Sequence, residues 1–370
     1  MKIVMIGQKG IPSKGGGIEM HVEELSARLV KAGHEVFVFT RPNYSDKSLK
    51  EYKGVKLISL PSVGTKHLDA ITHTFFSSFK VIFSRKYDVV HFHGIGPSSM
   101  IWLIRFFRPG LKVVSTFHCQ DYYHKKWGFF AQMYLRFGEY ICCKLPHKII
   151  TVSKQLKKYA EKKYSRKADY IPNGVNIPKL VEAREITEKW GLTKGSYILV
   201  VSRLIRHKGI HNLIKAYNLL ETDKKLVITG DGVFTSDYVA ELKELAKDNL
   251  NIIFTGKQTG RVLEELFSNA YVFVQPSETE GMSIALLEAM SYSLPVIISD
   301  IPENLEPAQG TAFIFTSKDH KSLRDEISFV LKNEEKAREF GVRAQRVIKE
   351  KYNPENIVNE TIELYNSLIK

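Results

Sequence analysis

Cysteine is nearly missing from this chain of 370 residues, which holds Cys119, Cys142 and Cys143 and no others. An odd count without metal-ligand spacing excludes a disulfide scaffold and suits a reduced, cytosolic setting. Long apolar runs are missing too: none reaches the roughly 18 residues that a membrane-spanning helix needs. The start, Met1-Lys-Ile-Val-Met-Ile-Gly7, reads as a first strand rather than a signal peptide. There is no low-complexity segment and no short-period repeat. The dinucleotide fingerprint Gly-x-Gly-x-x-Gly is absent, because Gly7 and Gly10 lack a third glycine before the helix that follows. An NAD-dependent dehydrogenase is thereby disfavoured.

Acidic residues are scarce in one half. Residues 1–173 carry 29 Lys/Arg against 12 Asp/Glu, a balance of +17, while the remainder has 25 basic and 28 acidic residues, a balance of −3. A generally basic composition would spread evenly. The asymmetry asks instead for an anionic neighbour of the first half: nucleic acid, an anionic membrane or an anionic acceptor. Hydrophobic content of 44% and charged content of 25% are those of a globular protein. The length suits two domains, each with its own core.

What is present is alternation. Apolar runs that read as strands are Lys2–Ile6, Val36–Thr40, Val55–Leu60, Val89–His93, Lys112–Phe117 and Lys148–Val152, separated by helical stretches. In the first helix Val22, Leu25 and Leu29 share a face and Gly33 is the stop. A second series follows Asn173-Gly174: Tyr197–Ser202, Lys225–Thr229, Asn251–Thr255, Tyr271–Gln275, Val296–Ser299 and Ala312–Phe315. This is an α/β pattern of two parallel-sheet domains, residues 1–173 and 174–354. Residues 355–370 form a closing amphipathic helix after Pro354.

The residues able to do chemistry fall where these strands end, the ligand-binding edge of open α/β sheets. Glu280 and Glu288 lie in Pro276-Ser-Glu-Thr-Glu280-Gly281-Met282-Ser283-Ile-Ala-Leu-Leu-Glu288, which turns helical from about Ser283. Two acidic acceptors suit a polyhydroxyl ligand, and the Gly281, Met282 and Ser283 amides at a helix N-terminus suit a phosphate. Arg203 and Lys208 straddle a strand exit and could clamp a diphosphate, although a solvated basic loop would look the same. Gly15-Gly16-Gly17 either opens backbone amides to a ligand or is a plain turn. Gly230-Asp231-Gly232 and Gly256-Lys257 are tight turns that could admit a flat base. His118, directly after a strand, can hydrogen-bond a hydroxyl or move a proton. His91, His93 and His118 are poor zinc candidates, because no carboxylate or cysteine at metal spacing completes the set. No metal and no other cofactor is expected.

In their order along nearly the whole chain, these motifs resemble the family 4 glycosyltransferases. The resemblance implies the GT-B architecture: two facing Rossmann-like parallel-sheet domains with a cleft between them, and a C-terminal helix that crosses back to the N-terminal domain. It implies a retaining transfer from a nucleotide-diphosphate sugar, a UDP- or GDP-sugar, to a hydroxyl of a glycan or lipid-linked acceptor. Glu288 would hold the ribose hydroxyls and Glu280 would face the transferred sugar. Arg203 and Lys208 would bind the diphosphate, and His118 would contact the sugar near the reacting carbon. Gly16 and Gly17 would close over the diphosphate or acceptor, and Gly232, Gly256 and Lys257 would complete the donor site. Ser202 stands where the family usually has Gly, and Met282-Ser283 where it commonly has Phe-Gly; both bear on donor specificity. The chain has no Asp-x-Asp, so the cations and helix amides would stabilise the leaving group without a metal.

The acceptor is written less clearly. Leu68–Lys86 and Met100–Arg108 are rich in Phe and basic residues. They read either as domain helices packed on the sheet, the commoner fate of apolar helical faces, or as surfaces that lie on an anionic membrane. The expected location is cytoplasmic, with the inner membrane face as a candidate partner. A nucleotide-sugar 2-epimerase of the same plan and a basic nucleic-acid-binding protein are the rival readings. The second lacks any known aromatic-basic motif, so no nucleic-acid partner is expected.

Overall fold

The computed structural model describes residues 1–65, 68–123, 127–232 and 235–369. The chain divides into two compact units, Met1–Gly174 with Pro354–Lys370, and Val175–Asn353.

The first unit is built on eight strands: β1 (Lys2–Ile6), β2 (Glu35–Thr40), β3 (Glu51–Tyr52), β4 (Val55–Ser59), β5 (Val89–His93), β6 (Lys112–Phe117), β7 (Lys148–Thr151) and β8 (Asp169–Tyr170). Their order is β3-β4-β2-β1-β5-β6-β7-β8, with β3 antiparallel to β4 and the other neighbours parallel. The central strands are apolar throughout because both faces are covered. Ile3, Met5, Val36 and Val38 pack on Val22, Leu25 and Leu29 of the helix Gly17–Lys31 and on Ile357, Val358, Leu364 and Tyr365 of the helix Pro354–Ile369. Val4, Ile6, Phe37, Phe39, Val90 and Phe92 face the other way, toward Ile101 and Ile104.

The second unit has six strands: β9 (Tyr197–Val201), β10 (Lys225–Thr229), β11 (Ile252–Gly256), β12 (Val272–Gln275), β13 (Val296–Ser299) and β14 (Phe313–Phe315). All are parallel, in the order β11-β10-β9-β12-β13-β14. Both sheets change winding direction once, between β9 and β12 here and between β1 and β5 in the first unit. Loops leaving such a pair of strands diverge, and the gap they open is where ligands bind in doubly wound sheets.

The closing helix belongs to the first unit. Arg28 and Glu355 form an ion pair between it and the helix Gly17–Lys31. Gly174 lets the outgoing and returning chain touch, since a Cβ there would lie 2.9 Å from Pro354 Cα. The short strands β3 and β8 were not among the expected elements; at two residues each they carry no readable alternation.

Candidate active site

In the second unit the site is assembled by loops jammed together at the β9/β12 switch. Ser202 N donates to Thr229 O at 3.0 Å and Leu204 N to Asp231 O at 2.9 Å, which sews the β9 exit to the β10 exit. Gly230 permits this: its φ is +145°, and a Cβ would stand 1.7 Å from Ser202 O. Gly209 plays the same part toward β12, with φ +69° and a Cβ that would meet Pro276 O at 1.9 Å. Glu278 N then donates to His207 O at 2.8 Å.

This packing delivers Lys208 onto Glu280. The two form an ion pair whose side chains are 12% and 7% exposed. Glu280 Oε1 also accepts from Gln275 Nε2 at 2.8 Å and from Ser277 Oγ at 2.7 Å. Ser277 is held in turn through Ser299 Oγ, which donates to its carbonyl at 2.5 Å and accepts from Asn304 Nδ2 at 2.9 Å. Sequence reading treated Lys208 and Glu280 as serving separate parts of a ligand; the structure couples them. Arg203 projects into solvent from the same loop and makes no ion pair among the described residues.

The helix Ile284–Ser291 starts beside this pair. Ser283 is its cap, with Oγ accepting from Leu286 N at 3.3 Å, and Gly281, Met282 and Ser283 are buried. Glu288 lies on that helix and keeps some exposed surface, yet the protein crowds its carboxyl enough that desolvation pushes it up to about 7. Among the described residues no donor is bonded to that carboxylate. Glu303 is raised as well, by burial first and then by the charge of Glu280. Gly256 O accepts from Gly230 N at 2.9 Å, so the Gly230–Gly232 and Gly256 turns adjoin, and Lys257 is exposed beside them.

The first unit has its own constellation at the β1/β5 switch. Gly7, at φ +126°, lets β1 end against β5, for a Cβ would be 2.3 Å from His93 O. Gly16, at φ +118°, and Gly17 turn the chain into the helix that carries His21. His93 ends β5 and His118 follows β6, with His93 Nδ1 and His118 Nε2 3.2 Å apart. Burial first, and the neighbouring imidazoles next, hold His93 and His118 well below the usual range, while burial lowers His21 to about 4. His118 is therefore a neutral ring at pH 7. His91 turns to Tyr365 OH at 2.6 Å and Thr116 Oγ1 at 2.7 Å. It does not join His93 and His118; His21 does.

Sequence reasoning missed His21, Gln275 and Ser277. Gln275 had a signal, being the one polar residue in Val-Phe-Val-Gln, and His21 sits one helical turn after Gly17.

Comparison with known proteins fixes the class. Residues 182–347 match the family model described as glycosyl transferases group 1, and residues 15–179 match that of glycosyltransferase family 4. The chain belongs to the group 1, family 4 glycosyltransferases and is an enzyme of the GT-B fold. It is 28% identical to an uncharacterized glycosyltransferase of Methanocaldococcus jannaschii, across 99% of this chain and 98% of the relative. O-antigen chain mannosyltransferase C of Escherichia coli is 25% identical across 100% and 99%. The Anabaena protein HepE, solved with UDP-glucose, superposes with a TM-score of 0.81 at 18% identity, over 99% of this chain and 100% of that one.

Proposed function

We propose that this chain transfers a sugar, with retention of anomeric configuration, from a nucleotide-diphosphate sugar to a hydroxyl of a glycan or lipid-linked acceptor in envelope or exopolysaccharide synthesis. The Lys208–Glu280 pair beside a capped helix N-terminus, with Glu288 on that helix, is the observation that carries this reading. A UDP- or GDP-sugar offers a ribose to Glu288, a diphosphate to Arg203, Lys208 and the Gly281–Ser283 amides, and a hexose to Glu280. The UDP-glucose held by HepE and the polymer made with the mannosyltransferase relative point the same way.

The bond that breaks joins the anomeric carbon to a phosphate oxygen, and the bond that forms joins it to the acceptor oxygen. The departing phosphate takes the acceptor's proton. Charge grows on the diphosphate, and fixed cations and amides aimed there lower the barrier without an Asp-x-Asp. Glu280 is no nucleophile in this scheme: its Oε1 already accepts from Lys208, Gln275 and Ser277. His118, as a neutral ring, hydrogen-bonds the transferred sugar. A melting-point screen against UDP-, GDP- and ADP-sugars, followed by NMR of the product anomer, tests this. A bound donor raises the melting point; no shift with any donor, or an inverted product, defeats the proposal.

The same reading takes an anionic membrane as the setting of the acceptor. On the helix Leu68–Phe83 the buried residues are Asp69, His73, Thr74, Ser77, Ser78 and Val81, while Phe75, Phe76, Phe79 and Phe83 face outward. Trp102, Phe106 and Phe107 are exposed on Ile101–Phe107, and Phe129, Phe130, Met133, Phe137 and Tyr140 on Phe129–Lys144. Phe83 and Phe130 reach 79% and 84% exposure. An inverted polarity of this kind, in the half that carries +17, fits an interface of apolar and anionic character. No described helix is long and apolar enough to cross a membrane.

A further inference from the structure

Of the histidines gathered at the β5 and β6 ends, the transfer reaction uses His118 alone. His21, His93 and His118 form a triangle of rings, with centroids 5.6 Å apart for His21–His93, 5.2 Å for His21–His118 and 5.5 Å for His93–His118. One ring nitrogen of each lies within 4.8 Å of the other two. Zinc binds imidazole nitrogen at about 2.0–2.1 Å, so neighbouring ligands of a tetrahedral ion stand roughly 3.4 Å apart. His93 Nδ1 and His118 Nε2 are already 3.2 Å apart. An inward adjustment of up to about 1.4 Å by His21, the member that keeps exposed surface, completes the set.

We propose that His21, His93 and His118 form a trihistidine site for a zinc-class divalent cation, and that the ion inhibits transfer by engaging His118. Three imidazoles on one side of an ion leave its fourth position to water or a hydroxyl. Imidazole nitrogen selects Zn, Co, Ni or Cu, whereas Mg and Mn favour oxygen ligands. His91 packs against the His93 ring and is no ligand. Its two nitrogens are taken by Tyr365 and Thr116, and its ring lies 4.1 Å from that of His93. Cation binding is independent of the function proposed above; the inhibitory consequence rests on it, through the sugar contact given to His118.

The test uses the full chain, treated with EDTA and desalted. Cobalt(II) is titrated by visible absorption and zinc by calorimetry. One ion per chain with tetrahedral cobalt bands is expected. His21→Gln and His93→Gln should each bind at least tenfold more weakly, and the remote His320→Gln should bind as wild type does. Stoichiometric zinc should slow wild-type transfer at least tenfold and magnesium should not, while His21→Gln should lose this response, its rate with zinc staying within twofold of its own rate without zinc. Absence of a stoichiometric ion, or equal affinity in His21→Gln and His93→Gln proteins that melt as wild type does, overturns the site. A bound ion that leaves the rate unchanged overturns the inhibitory role and the assignment of His118, while the site itself stands.

Discussion

Replacing Glu288 with Gln should make the ligand-free enzyme more stable and its donor complex weaker. Burial lifts the Glu288 carboxyl from 4.5 to about 7. Between those values the native chain holds a proton that the unfolded chain has released, so stability declines as pH rises from about 4.5 and levels off above about 7. At about 1.36 kcal/mol per pH unit, the full cost of ionising this group is roughly 3 kcal/mol. Glutamine carries no such cost. The variant should match wild type near pH 4.5 and exceed it by roughly 3 kcal/mol at pH 8, or about 6–12 °C in Tm for a unit of this size. A ribose reverses the sign, because its hydroxyls donate to the carboxylate. Hydrogen bonds to a charged group contribute about 1.5–3 kcal/mol, so donor Kd should rise roughly tenfold to a hundredfold in Glu288→Gln. Scanning calorimetry at pH 5 and pH 8, with and without donor, reads both effects. A stability difference that ignores pH, or an unchanged donor Kd, would refute the reasoning.

Arg203→Ala and Lys208→Ala should both lower turnover by a factor of about a hundred or more, yet differ in stability. Exposed Arg203 should cost no more than about 0.5 kcal/mol, whereas losing Lys208 strands the Glu280 carboxylate and should cost about 3 kcal/mol, recovered in a double variant with Glu280→Gln; equal melting points in the two single variants would contradict the coupling. EDTA should leave transfer intact, and a strict divalent-metal requirement would sink the cation-driven departure of the diphosphate. Flotation with liposomes should show the chain on anionic vesicles and less on neutral ones, and absence from both would remove the membrane surface. Gly230→Ala should lower stability by about 2 kcal/mol or more, since a methyl at φ +145° would collide with Ser202 O; a wild-type melting curve would contradict the close approach.

Most of the fold was legible because buried parallel strands are written as apolar runs. Lys2–Ile6, Val89–His93, Lys112–Phe117, Lys225–Thr229 and Val296–Ser299 begin and end where the runs do. Site loops were legible for the related reason that strand ends are where polar residues can reappear. What stayed hidden depends on three-dimensional approach. Nothing local says that Gly209 seats Lys208 on Glu280, or that His21 arrives beside residues 72 and 97 positions away. The helix Leu68–Phe83 left two readings open, core stripe or outer surface; its phenylalanines face outward, and the side that packs inward is serine, threonine, histidine and aspartate with Val81.

The placement of the closing helix has a consequence for how this protein is made. Ile357, Val358, Leu364 and Tyr365 belong to the core under β1, β2 and β5, so the first unit lacks one wall until its last residues leave the ribosome. The second unit is translated completely before then. At about 5–20 residues per second, on the order of ten to forty seconds separate the end of the first 174 residues from the arrival of the helix that covers them. The later-encoded unit can therefore fold first, while the earlier one, with its outward phenylalanines, waits half-built beside whatever apolar surface the cell offers.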